Sequence, residues 1–268
     1  METLNGVVTQ VIQVSPIMKV FRIAPDGWEL PDFSPGQFVA IGLPSSCERC
    51  AEAQPEMDTY AEDKIIKRAY SIASSSQTKE YLEFYITLVH SGALTPRLFN
   101  LELGDRVFVG QKFVGMFTLN QVPEDKNIVL IATGTGVAPY LSMLRTDALH
   151  RKGNISVIHG AANSWDLGYS SELQLLQTLS QKFFYLPTIT EPNREKTQWN
   201  GSSKFIQEMI ADGDIEKFTG AKIDPNTTHV FLCGNPKMIA TVTENLEKKG
   251  LTEWSRKNPE GQIHVEKF

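Results

Sequence analysis

The chain has 268 residues, 41% hydrophobic and 21% charged, with a net charge of −5. That length allows one large domain or two moderate ones, the composition is that of an ordinary globular chain, and the acidic balance gives no reason to expect a nucleic-acid partner. No apolar run approaches the ~20 residues of a membrane span, and "METLNGVVTQ" lacks the basic-then-apolar order of a secretory leader, so a cytoplasmic protein with no membrane segment is expected. Cys47, Cys50 and Cys233 are too few for a disulfide framework or for the four thiolates of an iron–sulfur cluster.

Residues 1–122 read as β structure. "VVTQVIQV", "KVFRIA", "QFVAIGL", "YLEFYITLV" and "DRVFVG" alternate or run apolar at strand length, and "PDG", "SPGQ" and Gly104-Asp105 separate them as turns. Short strands so punctuated predict an antiparallel barrel or sandwich. One helical interruption is expected at 94–101, with Thr95 as cap and Pro96 in the first turn. Residues 44–66 fit neither pattern and read as an acidic surface insertion, a loop or short helix. Their Cys47-x-x-Cys50 pair has no further ligands to complete a metal site.

In "KRAYSIASS" (67–75) a cation, an aromatic ring and hydroxyls stand in fixed order within a strand-forming run. A plain strand needs none of that order. A ligand with an anion, a flat ring and a polar ring atom would meet Arg68, Tyr70 and Ser71.

Residues 123–268 change period. "NIVLIAT", "ISVIHG", "FFYLPTIT", "HVFLCG" and "IHVEKF" alternate with helical patterns at 137–150, 170–182, 202–212 and 236–249. Strand–helix alternation predicts a doubly wound parallel sheet. Two turns in it read as ligand-facing. In "ATGTGVAPYLSML", Gly134 and Gly136 open a strand-to-helix turn whose amides can face a pyrophosphate, with Pro139 early in the helix. In "FLCGNPKM", Gly234-Asn235-Pro236 forms a second such turn, and the carboxyl-end rule aims both at one crevice, with Cys233 at its mouth.

"RAYSIAS", "GALTPRL", "ATGTGVAPYLSML", "LCGNPKM" and "HVEKF", in that order, resemble the ferredoxin–NADP⁺ reductase family, in particular its bacterial branch. The resemblance implies an N-terminal FAD-binding β-barrel and a C-terminal NAD(P)-binding α/β domain. It implies an enzyme that moves hydride between NAD(P)H and FAD N5, and single electrons between FAD and a ferredoxin or flavodoxin. Arg68 would pair with the FAD pyrophosphate, Tyr70 stack on the isoalloxazine, and Ser71 approach N5. Ala69, Tyr85, Ala93, Leu94, Thr95, Thr135 and Phe268 match other FAD-contacting positions, and the helix beginning near Leu94 could receive the second phosphate. Gly134, Gly136, Pro139, Ala161, Ala162, Glu191, Gly234, Asn235, Pro236 and Met238 would line the NAD(P) site. Ser71, Cys233 and Glu266 would bracket the nicotinamide. A basic patch for an acidic carrier could draw on Lys64, Lys67, Arg97, Lys112 and Lys267.

Three positions depart from that pattern. Where the family places arginines for the 2′-phosphate of NADP, this chain has Ala162, Glu191 and Ser202. A carboxylate there repels phosphate and can accept bonds from ribose hydroxyls. Weak discrimination between the two nucleotides, or a preference for NADH, is therefore one expectation. Arg194, Lys196 or Lys204 supplying the charge after a loop shift is the other. Rival functions on the same fold are the reductase component of an oxygenase and a non-catalytic electron-transfer subunit. A flavin-free nucleotide-binding module is a third.

Overall fold

The computed structural model describes residues 3–61 and 64–267. They form two compact units. One holds the chain up to Thr118 together with Ala138–Thr146; the other holds Leu119–Val137 and the chain from Asp147 onward.

The first unit is a six-stranded antiparallel sheet. Its strands are β1 (Gly6–Ser15), β2 (Met18–Pro25), β3 (Phe38–Pro44), β4 (Ile65–Ser71), β5 (Leu82–Thr87) and β6 (Arg106–Val109), in the order β4-β3-β6-β1-β2-β5. These strands put Val8, Phe21, Ile41, Phe84 and Val107 into one core. The two edges, β4 and β5, share no continuous ladder. Just past β4 the Ala73 N–H donates to the Glu83 carbonyl at 2.8 Å. The sheet is thus barrel-like without being a closed barrel. Two helices belong to this unit, α1 (Thr95–Leu98) and α2 (Ala138–Thr146).

The second unit is a five-stranded sheet, parallel throughout. It contains β7 (Asn127–Thr133), β8 (Ile155–Ala161), β9 (Phe183–Ile189), β10 (Thr228–Gly234) and β11 (Ile263–Lys267), in the order β11-β10-β7-β8-β9. Strand order reverses between β7 and β10, which defines the switch point where doubly wound sheets bind ligands. The helices are α3 (Ser170–Leu179), α4 (Ile206–Ala211), α5 (Asp214–Thr219) and α6 (Pro236–Glu247). Ile206, Met209, Val242 and Leu246 of α4 and α6 pack with Val129, Ile158, Val230 and Ile263 of the sheet.

The predicted succession of elements holds, and the differences are local. The 94–101 helix is a four-residue turn whose N-cap is Leu94. Thr95 does not cap it, because its Oγ1 accepts the Val89 N–H at 3.0 Å and donates to the Val89 carbonyl at 3.2 Å. The helix expected from 202 starts at Ile206, since Ser202 instead bridges to Thr188 beside β9. α5 has no counterpart among the predicted elements: at six residues, flanked by Gly213 and Gly220, it is too short for a periodic signal.

Candidate functional site

In the first unit the candidate residues gather on β4, on β5 and around α1. Strand alternation puts Arg68 and Tyr70 on one face of β4 and Ser71 on the other. Tyr70 is half-buried against the core, and that burial pushes its phenol above the ordinary range, opposed by the Arg68 charge. Arg68 is exposed, with Nη1 donating to the Lys67 carbonyl at 2.7 Å. Ala69 is exposed and Ser71 half-buried opposite Phe38. Tyr85 lies inside the sheet, its hydroxyl 3.1 Å from Met18 Sδ. Ala93, Leu94 and Thr95 form the entry to α1.

Residues 45–61 lie at the surface and are tied to the neighbouring turn by two arginines. Buried Arg97 holds both carboxylate oxygens of Glu56 at 2.8 Å and also donates to the Ala93 and Ser45 carbonyls at 2.6 and 2.7 Å. Arg49 reaches the carbonyls of Gln54 and Gly92 at 2.6 and 3.0 Å. Between Pro44 and Ile65 the described residues form neither helix nor strand, yet they strap down the 89–97 turn. Arg97 is therefore removed from the set of exposed docking cations: it is 4% exposed, and both its terminal nitrogens are engaged. Cys47 and Cys50 are in no disulfide, with Cys50 buried, and among the described residues no cluster of three or more metal-ligating side chains exists.

The least expected group is Glu83, in the middle of the apolar "LEFY". It is 1% exposed and accepts from Arg22 Nε at 2.7 Å and from Arg145 Nη1, on α2, at 2.6 Å. The same Arg145 nitrogen donates to the Ala73 carbonyl at 3.0 Å. A lone acid in an apolar strand was the available signal. Its two partners lie too far away in sequence to be read.

In the second unit the two glycine turns follow adjacent strands and fit into each other. A Cβ on Gly136 would lie 2.5 Å from the Cys233 carbonyl oxygen, so only glycine permits that approach. Gly234 has φ +126°, and a Cβ there would meet Thr133 Oγ1 at 2.2 Å. That hydroxyl accepts the Asn235 N–H at 2.7 Å. Asn235 Oδ1 then caps α6 through the N–H groups of Lys237 and Met238 at 2.8 and 3.4 Å, with Pro236 opening the helix. Met238 is buried. Under the first turn, His159 Nε2–H donates to the Gly134 carbonyl at 2.9 Å. Thr135 is half-buried in that turn, and Pro139 sits early in α2.

Cys233 is fully buried. It lies beside Glu266 in the β10–β11 register, its Sγ 3.9 Å from Glu266 Oε2. Burial, then the Glu266 charge, raises the thiol well above its ordinary value, so it is held as a neutral thiol. Phe268 lies outside the described residues.

Ala162, Glu191 and Ser202 do come together at the carboxyl ends of β8 and β9. The Glu191 N–H donates to the Ala162 carbonyl at 2.9 Å, and the Ile189 N–H to the Ser202 carbonyl at 3.1 Å. Ala161 ends β8 opposite Ile189. Two of the three cations considered as replacements are already paired. Arg194 Nη1 lies 2.6 Å from Glu191 Oε2, and Lys204 Nζ lies 2.8 and 2.6 Å from Asp212 and Asp214. Lys196 is exposed.

A parallel sheet with interlocked glycine turns at its switch point, joined to an antiparallel β unit, defines a two-part nucleotide-linked oxidoreductase. Residues 130–244 match the oxidoreductase NAD-binding domain family. The chain is 38% identical over 208 residues to a flavodoxin/ferredoxin–NADP reductase of Buchnera aphidicola subsp. Baizongia pistaciae, covering 76% of this chain and 81% of that one. It is 34% identical over 208 residues to the enzyme of the same name from Escherichia coli strain K12, covering 77% and 76%. A ferredoxin NADP⁺ reductase from Neisseria gonorrhoeae, solved with bound FAD and NADP, superposes with a TM-score of 0.82 at 25% identity over 98% of this chain and 97% of that one. The chain belongs to the flavodoxin/ferredoxin–NADP reductase family of oxidoreductases.

Proposed function

We propose that the protein is an FAD-dependent reductase that moves hydride between NAD(P)H and FAD, and single electrons between FAD and a ferredoxin or flavodoxin. The observation that carries this reading is the pair of interlocked glycine turns after β7 and β10, at the switch point of the parallel sheet. Their backbone is held where a dinucleotide pyrophosphate binds. The flavin half of the reading is supported by β4, where an exposed cation and a half-buried ring share one face. That is the donor set for a ligand with a diphosphate and a flat ring system.

In this reading residues 1–122 are the FAD domain and 123–268 the NAD(P) domain. Bound FAD would supply the conversion between two-electron and one-electron transfer. The chain's own residues bind and orient. The Arg68 guanidinium pairs with the diphosphate, and Tyr70 lies against the ring. Ser71 is assigned to the flavin, with Ala69, Tyr85, Ala93, Leu94 and Thr95. The turn residues Gly134, Gly136, Gly234 and Asn235 take the nicotinamide nucleotide, and Cys233 and Glu266 are assigned to its reactive end. A buried neutral thiol beside a carboxylate suits shaping of a pocket better than proton transfer. Lys64, Lys67, Lys112 and Lys267 remain the cations proposed for an acidic carrier, and a cytoplasmic location fits such a partner.

The test is anaerobic. The purified protein is expected to carry a flavin spectrum that bleaches on addition of NADH or NADPH and recovers on addition of an oxidised ferredoxin or flavodoxin. A protein that takes up no FAD, or whose flavin neither nucleotide reduces, would end this reading.

A further inference from the structure

The loop after β8 carries a built anion seat that the chain fills itself. Both oxygens of the Glu195 carboxylate accept from Ser164, Oε1 from the backbone N–H at 2.8 Å and Oε2 from the hydroxyl at 2.6 Å. An N–H and a hydroxyl converging on one group are the donors a phosphate ester would use. The seat is held in place by its surroundings. The Asn163 side-chain amide donates to the Glu191 carbonyl at 3.3 Å, and the Glu191 N–H donates to the Ala162 carbonyl at 2.9 Å, so the loops after β8 and β9 are stitched together.

The seat stands at an informative place. The ends of β7, β8 and β9 are level, with Thr133 opposite Gly160, Gly160 opposite Thr188 and Ala161 opposite Ile189. Ser164 therefore follows the strand next to the one that carries the Gly134–Gly136 turn. In doubly wound sheets the adenylate ribose of a dinucleotide lies over the end of that neighbouring strand, and a group there reads the 2′ position. Of the three cations nearby, two are held by other carboxylates and the third, Lys196, is exposed. Arg194 is paired with Glu191, and Lys204 with Asp212 and Asp214.

We infer that Glu195, seated on Ser164, is a specificity-determining residue that turns the nucleotide site toward NADH. It occupies the donors a 2′-phosphate would need and presents a charge of the same sign. The free 2′-hydroxyl of NADH meets no such conflict and can donate to the carboxylates at the loop. This inference rests on the proposed reading of the second unit as a nicotinamide-nucleotide site.

The test uses the full-length flavoprotein and two readouts. Calorimetric titration with NAD⁺ and with NADP⁺ gives binding apart from turnover, and kcat/KM with NADH and NADPH gives the kinetic ratio. Wild type is expected to favour the unphosphorylated nucleotide by at least about tenfold in both. E195Q keeps the side-chain size and removes the charge, and is expected to shift both ratios toward the phosphorylated nucleotide by about tenfold. The double variant E195Q/S164A is expected to give back part of that shift, because the hydroxyl donor of the seat is gone while its backbone N–H stays. A wild type that favours NADP⁺, or an E195Q whose ratios stay put, overturns the inference. So does a double variant that keeps the whole shift. If wild type binds neither nucleotide, the reading of the site fails first, and the inference falls with it.

Discussion

The strands of the two sheets bury different kinds of titratable side chain. The antiparallel sheet buries a charged group, Glu83, held between Arg22 and Arg145. The parallel sheet buries groups held neutral, among them His159, His264 and Cys233, each driven that way chiefly by burial. The difference follows from architecture. β5 is an edge strand, so long arginine side chains can reach Glu83 while staying partly in water. β8 lies inside the parallel sheet, and His264, though on the edge strand β11, is stacked against Phe231 and Trp254, so an ion at either place would lose its hydration with little return. Glu191 and Glu195 of the second unit lie instead in the loop past the end of β9. The β unit uses charge to hold its edge together, and the α/β unit carries it on the loop proposed to choose the nucleotide.

Removing the acid from the β unit is the hardest test of that contrast. Glu83→Ala leaves two guanidiniums facing a site that had been closed by one carboxylate, and it frees α2 from its Arg145 anchor. Breaking a buried pair from one side costs about 3 kcal/mol or more. Urea unfolding should show a fall of that size, with Glu83→Gln falling less because it can still accept. A Glu83→Ala protein within about 1 kcal/mol of wild type would mean that the charge is a bystander and the contrast is wrong.

The histidines give the second test, through pH. His159 is wholly buried, with Nδ1 unpartnered among the described residues and its pKa pushed down to about 4. His264 is pushed down to about 3 by burial, with His229 beside it at 3.1 Å. A histidine whose folded pKa lies below its unfolded value near 6.5 binds protons more readily unfolded. Its contribution is therefore complete above about pH 6.5 and drains away as pH falls toward the folded value. Unfolding free energy measured from pH 7 down to pH 4 should drop by about 3 kcal/mol for His159 alone. His159→Leu should lose stability at pH 7 but flatten that acid limb. An acid limb as steep in His159→Leu as in wild type would remove His159 from the account.

Much of this was legible from local pattern. "NIVLIAT", the glycine turns and "KRAYS" announce themselves because backbone requirements and strand period are written in consecutive residues. The interlock of Gly136 with Cys233 sharpens the reading of the turn: that glycine is required by the neighbouring strand, whatever binds above it. The pairings were not legible. Glu83 meets Arg22 and Arg145 across 61 and 62 residues, and Ser164 meets Glu195 across 31. Arg97 illustrates the cost. From the sequence it is one more cation for a docking patch; in the fold it pins Ser45 and Glu56. Charge by itself carries no information about its partner.

The smallest effect on stability should come from Glu191, and there the contrast is sharpest. Its pair with Arg194 is an i,i+3 contact, with 44% and 67% of the two side chains exposed. Exposed pairs of this kind contribute about 0–1 kcal/mol, so Glu191→Gln should unfold within about 0.5 kcal/mol of wild type. Its effect on nucleotide choice should be visible all the same. Without the carboxylate, Arg194 is released beside the seat on Ser164 and can turn toward a phosphate. The NADPH-to-NADH ratio of kcat/KM should rise by about threefold. That is less than for E195Q, because Arg194 must give up rotamer freedom to act and Glu195 still fills the seat. Equal and large losses of stability in Glu191→Gln and Glu83→Ala would show that the two units do not differ in how they use charge.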